Sequence, residues 1–178
     1  MSKLETNTID TISGTSNLTI GSSNASTITL KSGATLTNFP DNTPAFFAYQ
    51  TSNQTIANNT NTVVSLDAEA FDTDNAFASN TFTVPNGKAG KYFFTIGVRK
   101  NNFTSSRFNI YLEDGDGASI VSAESGTDSA YGIANVSIVK DLSAGTTIVM
   151  KVYHNQGGNQ TTLQGIHQVY FGGYRIIE

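Results

Sequence analysis

The chain has 178 residues, a formal net charge of −4 and only 13% charged residues. This leaves room for one well-buried domain with an appendage, and it excludes nonspecific nucleic-acid binding, because no basic stripe exists to neutralise phosphates. Cysteine is absent, which rules out disulfide staples and thiolate metal sites and leaves stability to burial and subunit association.

Ser, Thr, Asn and Gly dominate the polar side, and Ala/Leu/Glu/Lys runs at helical spacing are missing. Thr, Val, Ile, Phe and Tyr recur instead in short alternating segments, which is an all-β composition. The opening Met1-Ser2-Lys3-Leu4-Glu5 lacks the apolar core of a secretory signal, and no later stretch approaches a membrane span. The expectation is a protein made soluble in a cytoplasm.

Residues 1–40 carry isolated aliphatics in a Ser/Thr/Asn/Gly background. Asn17-Leu18-Thr19-Ile20 is echoed by Ser26-Thr27-Ile28-Thr29-Leu30 and more weakly by Ala34-Thr35-Leu36-Thr37. Three chains wound together could place Leu18, Ile20, Ile28, Leu30 and Leu36 on a shared axis as a β-rich stalk. The same polar bias equally supports a flexible linker. Phe39-Pro40-Asp41-Asn42-Thr43-Pro44 then reads as a boundary, because its prolines cannot sit within a ladder. It separates an attachment segment, 1–40, from a domain, 41–178.

Eight strands are predicted beyond it: Ala45 to Gln50, Thr62 to Leu66, Thr81 to Val84, Lys91 to Arg99, Arg107 to Leu112, Gly132 to Leu142, Thr146 to His154 and Gln168 to Ile177. A two-sheet sandwich is the economical arrangement. The interval Asp67 to Asn80 reads as a long polar loop tethered by Phe71 and Phe77. In the last strand Val169, Phe171 and Ile177 point one way, while Tyr170, Tyr174 and Ile176 point the other. Both faces want to be dry. The second face predicts burial against other copies of the chain, the alternative being cover by a loop or the N-terminal segment.

From Pro44 onward the motifs keep a recognisable order: Pro44-Ala45-Phe46, Phe71-Asp72-Thr73-Asp74-Asn75-Ala76-Phe77, Thr81-Phe82-Thr83-Val84-Pro85, Gly90-Lys91-Tyr92-Phe93-Phe94, Leu142-Ser143-Ala144-Gly145-Thr146-Thr147-Ile148 and Gln168-Val169-Tyr170-Phe171-Gly172. This order resembles the jelly-roll family of complement globular heads and tumour-necrosis-factor cytokines, over about three quarters of the chain. The resemblance implies a jelly-roll β-sandwich assembled as a homotrimer around a hydrophobic axis with Tyr170 near it; Tyr174 and Ile176, on the same face by alternation, complete the trimer-axis candidates. Phe82, Tyr92, Phe94 and Phe171 are the matching core candidates, while Arg175 departs from the apolar residue expected there. The repetitive N-terminal segment resembles the shafts of bacteriophage fibre and decoration proteins.

Catalysis finds little support. His154 and His167 lie in or beside predicted strands without a nucleophile motif, and no carboxylate pair is legible. The protein is therefore read as a non-enzyme without a cofactor, calcium being the one ion that the oxygen-rich loops at Asp72 and Asp74 and at Asp114 and Asp116 would suit. Recognition is expected in the segments Lys100 to Ser106, Ser122 to Tyr131 and Asn155 to Gln164. The functional expectation is a structural virion protein: a trimeric phage appendage, either a tail fibre or a capsid decoration. It would contact other virion proteins through residues 1–40 and a host-surface glycan or protein through the head, with no nucleic acid and no membrane insertion. The second reading is a secreted-type receptor- or glycan-binding module, which needs an export route.

Overall fold

The computed structural model of the chain describes residue 32 and residues 42–101, 107–125 and 131–176. The chain divides into Met1–Phe39 and Pro40–Glu178, and the fold below is that of the second unit. The stalk expectation for residues 1–40 lies outside the described residues.

Thirteen strands and no helix form among the described residues. They are β1 (Ala45–Tyr49), β2 (Thr55–Ile56), β3 (Thr62–Val63), β4 (Ala68–Asp72), β5 (Phe77–Ala78), β6 (Thr81–Thr83), β7 (Gly90–Asn101), β8 (Phe108–Asp114), β9 (Ser119–Ser125), β10 (Ile133–Leu142), β11 (Thr147–His154), β12 (Gln160–Thr162) and β13 (Val169–Arg175). The first sheet runs β10-β7-β13-β1-β4, with β12 and β2 added beside the end of β7. The second runs β5-β6-β11-β8-β9, and β3 pairs with β11. Every pairing is antiparallel, as expected of a jelly roll closed by long connections between its two sheets.

Alternation builds the core. Tyr92, Phe94, Ile96 and Val98 of β7 face inward, opposite Phe108, Ile110 and Leu112 of β8 and Ile148, Met150 and Val152 of β11. Phe46 sits at the centre. Its ring stacks on Phe77 at 5.2 Å and Phe82 at 4.9 Å and meets the edge of Phe171 at 4.9 Å, contacts worth about 0.5–1.5 kcal/mol each beyond area burial. Phe82, Tyr92, Phe94 and Phe171 all lie in this cluster. Burial pushes the Tyr92 hydroxyl up to about 12, so it stays neutral and donates to the Lys88 carbonyl at 2.6 Å.

The interval Asp67 to Asn80 is not a tethered loop. Ala68–Asp72 is β4, the edge strand beside β1, and Phe77–Ala78 is β5. Phe77 is buried as expected, but Phe71 is half exposed, because its partner across the ladder is the outward-facing Phe47. Residues 119–125, partly assigned to a recognition loop, form β9 against β8. The Leu142–Thr146 turn behaves as its residues predict: Gly145 takes a φ of 82°, which other residues rarely tolerate, and Thr146 N–H donates to the Ser143 carbonyl at 3.2 Å.

Candidate association face

The outer face of the first sheet is built by odd-numbered positions of β7, β10 and β1 and even-numbered positions of β13. One row across the strands reads Val139, Phe93, Tyr174, Ala45. The next reads Ser137, Thr95, Gly172, Phe47, Phe71, and a third reads Asn135, Gly97, Tyr170, Tyr49, Ala68. No charged residue stands in these rows; Lys91, Arg99 and Asp141 sit beyond them, toward the two ends of β7.

The Phe47 and Tyr170 rings lie over glycine backbone. Phe47 and Tyr170 stack at 5.7 Å with 15° between planes, and Phe93 meets Tyr174 at 5.4 Å. Two glycines make this possible. A Cβ on Gly97 would stand 2.5 Å from Tyr170 Cε1, and one on Gly172 would stand 2.7 Å from Phe47 Cδ2, so each ring occupies the space a side chain would have filled. The result is an apolar surface in which Phe71, Tyr174 and Val139 remain 51%, 42% and 53% exposed, with Ile133, 43% exposed, on the same outer face beside Arg99. These are four of the six large exposed apolar residues among the described ones, the others being Val63 and Tyr131. Scattered apolar residues need no explanation, but a cluster on one face does.

Of the axis candidates, Tyr170 and Tyr174 stand on this face in β13, whereas Ile176 lies just past the strand end, its N–H donating to the Lys91 carbonyl at 2.8 Å. The sequence reading named only β13. It missed Phe47, Tyr49, Phe93 and Val139, although Phe46-Phe47 and Tyr92-Phe93-Phe94 carry the same signal, consecutive bulky residues in a strand that must occupy both faces. Arg175 caps the inward side of β13: its guanidinium lies over Gly90 and Nη2 donates to the Ala89 carbonyl at 3.0 Å.

The acidic candidates occupy separate turns. Asp72 Oδ1 accepts the Ala76 N–H at 3.0 Å and Oδ2 the Phe77 N–H at 2.8 Å, while Thr73 Oγ1 donates to Asp74 Oδ1 at 2.8 Å. Asp114 Oδ1 accepts the N–H groups of Asp116 at 3.2 Å and Ala118 at 2.9 Å. Both are side-chain-capped turns, and no group of three metal-ligating side chains occurs among the described residues.

His154 is buried, with Nδ1 accepting the Gln156 N–H at 3.3 Å, so Nε2 carries the proton and donates to the Ile56 carbonyl at 3.0 Å. His167 is exposed. Of the expected recognition segments, Lys100 is buried in β7, and residues 102–106 and 126–130 lie outside the described residues. The amides of Asn155 and Asn159 are spent within the fold, accepting the N–H groups of Arg107 at 2.8 Å and Asn58 at 3.3 Å.

No family model and no curated protein matches the sequence. Solved structures do resemble it. The globular domain of zebrafish complement 1qA protein is similar at a TM-score of 0.57 and 16% identity, covering 76% of this chain and 98% of that one. Murine APRIL at pH 8.0 is similar at 0.60 and 14%, covering 74% and 98%. The Eiger TNF from S. frugiperda is similar at 0.53 and 12%, covering 75% and 92%. At such identities the likeness concerns the fold, which is the complement/TNF-like jelly roll.

Proposed function

We propose that the protein is a homotrimeric structural component of a virion, a bacteriophage fibre or capsid decoration, in which residues 41–178 form the head and residues 1–40 attach it to the particle. The observation that carries the self-association is the set of three charge-free, aromatic rows at the centre of the first sheet's outer face. Around a threefold axis each residue near the axis meets its own copies, so a charge there would repel itself in a poorly screened setting. The rows of this face contain none. Three is the number implied by the family resemblance. The virion setting is supported by the repetitive Thr/Ser/Asn composition of residues 1–40.

In this reading the protein performs no catalysis, needs no cofactor and holds other virion proteins through its N-terminal segment. The head is presented to the host surface in three copies, which multiplies weak contacts without new ones per chain. Nucleic acid is disfavoured as a partner by the net charge of −4. Among the described residues no helix is long and apolar enough to cross a membrane. Native mass spectrometry tests the trimer, and labelling of purified particles tests the setting. A stable species of 18.9 kDa rejects the first. Absence from intact particles with accumulation in the medium rejects the second and favours a secreted receptor- or glycan-binding module, the reading that the fold likeness alone would support.

A further inference from the structure

On the other side of the sandwich, the outer face of the second sheet carries an open groove of about 470 Å³, within the roughly 300–1,000 Å³ of clefts that take small ligands. Asn109, Tyr111 and Glu113 of β8 line it with Tyr153 of β11, Ser122 of β9 and Arg107 at one end. Outward residues on the outer face of a sandwich are ordinarily wet. Asn109 and Tyr111 are only 7% and 8% exposed, although Tyr111 belongs to the outward set and lies outside the core cluster. The Tyr111 hydroxyl meets no hydrogen-bond partner and is closed to solvent. A buried unpaired hydroxyl destabilises the free protein, and such groups persist where something else makes use of them.

The charges around the groove are already matched. Arg107 Nε donates to Glu124 Oε1 at 2.5 Å and lies over the Tyr153 ring, with the guanidinium carbon 5.7 Å from its centroid. Lys151 pairs with Glu113 across the neighbouring strand. An incoming phosphate would face Glu113 and Glu124, and an incoming cation would face Arg107 and Lys151. Asn109 Nδ2 donates to Glu124 Oε1 at 3.3 Å and the Tyr153 hydroxyl to Asn59 Oδ1 at 3.2 Å, so what is left on offer is the Asn109 carbonyl oxygen and the Tyr111 and Ser122 hydroxyls, neutral groups that suit a neutral molecule dense in hydroxyl groups. We infer that the groove binds a neutral saccharide unit, whose hydroxyls bond Tyr111 Oη, Asn109 Oδ1 and Ser122 while Arg107 stays over the Tyr153 ring. Binding shifts the side chains that now close over the Tyr111 hydroxyl and supplies its missing partner. The groove is formed by one chain on the sheet that does not carry the aromatic face, so this inference goes beyond the proposed self-association and stands without it.

The full-length protein is titrated with methyl glycosides of glucose, galactose, mannose and N-acetylglucosamine, with glucuronate and inorganic phosphate as charged probes, and read by saturation-transfer NMR and calorimetry. At least one neutral glycoside binds and the charged probes do not. Tyr111→Phe keeps the ring and removes the hydroxyl; it melts no lower than the parent and weakens the glycoside by about tenfold. The inference is overturned if no neutral glycoside binds, if phosphate or glucuronate binds as well as the best glycoside, or if Tyr111→Phe binds unchanged or melts lower. Native mass of the same sample separates the two proposals: a monomer that binds sugar keeps the groove and removes the trimer.

Discussion

Gly97, Gly172 and Gly173 lie in adjacent central strands of the first sheet, and each is glycine for a reason that belongs to a different strand. The would-be Cβ atoms of Gly97 and Gly172 meet the rings of Tyr170 and Phe47, which lie on the outer face and can lift. That of Gly173 meets Phe94 Cδ1 and, at 2.7 Å, the Phe93 carbonyl oxygen, an aromatic in the core and a backbone that cannot yield. Gly173→Ala is therefore expected to cost about 1–3 kcal/mol as core overpacking, read as a lower denaturant midpoint with an unchanged slope. Gly97→Ala costs less stability and acts on association by raising Tyr170 off the face. The Gly172-Gly173 pair was visible in the sequence, but the need for it was not, since only the strand register tells which ring lies over which residue. Asp67 shows a second kind of hidden constraint. Its carboxylate accepts the Thr51 N–H at 2.6 Å and the Thr51 hydroxyl at 2.8 Å, which holds it below its ordinary value of 3.8. A carboxylate with a lowered folded value stabilises the protein above its unfolded value and loses that contribution as pH falls through the folded one. Asp67→Asn is thus less stable than the parent at neutral pH, and the gap closes on acidification; urea midpoints across the acid limb check this.

At the level of strands, legibility followed side-chain contrast. Strands β7, β11 and β13 were predictable because bulky residues recur in them at every second position or on both faces. β4 was not, because Ala68-Glu69-Ala70-Phe71-Asp72 is an edge strand with a bulge in its register, and most of its residues face water on either side. β9 and β12 were hidden for a related reason: Ser119–Ser125 and Gln160–Thr162 gain their ladders from β8 and β7 rather than from an apolar pattern of their own. The aromatic face depends on β1, β7, β10 and β13 together, so its predicted disruption is best placed where a single chain would not notice. Val139 on β10 is half exposed, and Val139→Glu should change the stability of an isolated head by no more than about 0.5 kcal/mol. Buried between copies, an uncompensated carboxylate costs on the order of 3–5 kcal/mol. Val139→Glu is accordingly expected to yield folded monomers by sedimentation and circular dichroism. Tyr170→Asp should also abolish trimers, but it strips a ring that stacks on Phe47 and covers Gly97, so its fold suffers too. A folded Val139→Glu variant that remains trimeric would move the interface off this sheet.

For the molecule as a whole, the two sheets divide the labour proposed for it, the first aromatic and charge-free in its central rows, the second polar, grooved and laced with matched charges. This division sets what solution conditions should do. If folding is coupled to assembly of three chains, the folding equilibrium carries the square of the protein concentration per trimer, so each tenfold rise is worth about 2.7 kcal/mol per trimer. The unfolding midpoint should climb with concentration accordingly. Because the interface rows are charge-free, sodium chloride should leave that midpoint nearly unchanged, whereas an interface held by ion pairs would weaken as screening shortens their reach. Sulfate, which strengthens apolar burial, should raise it. A chain beginning at residue 41 keeps every described strand and should show the same concentration dependence while no longer attaching to particles. A midpoint indifferent to concentration would mean that the aromatic face stays wet in solution, and the exposure of Phe71, Val139 and Tyr174 would then need an occupant other than a second copy of the chain.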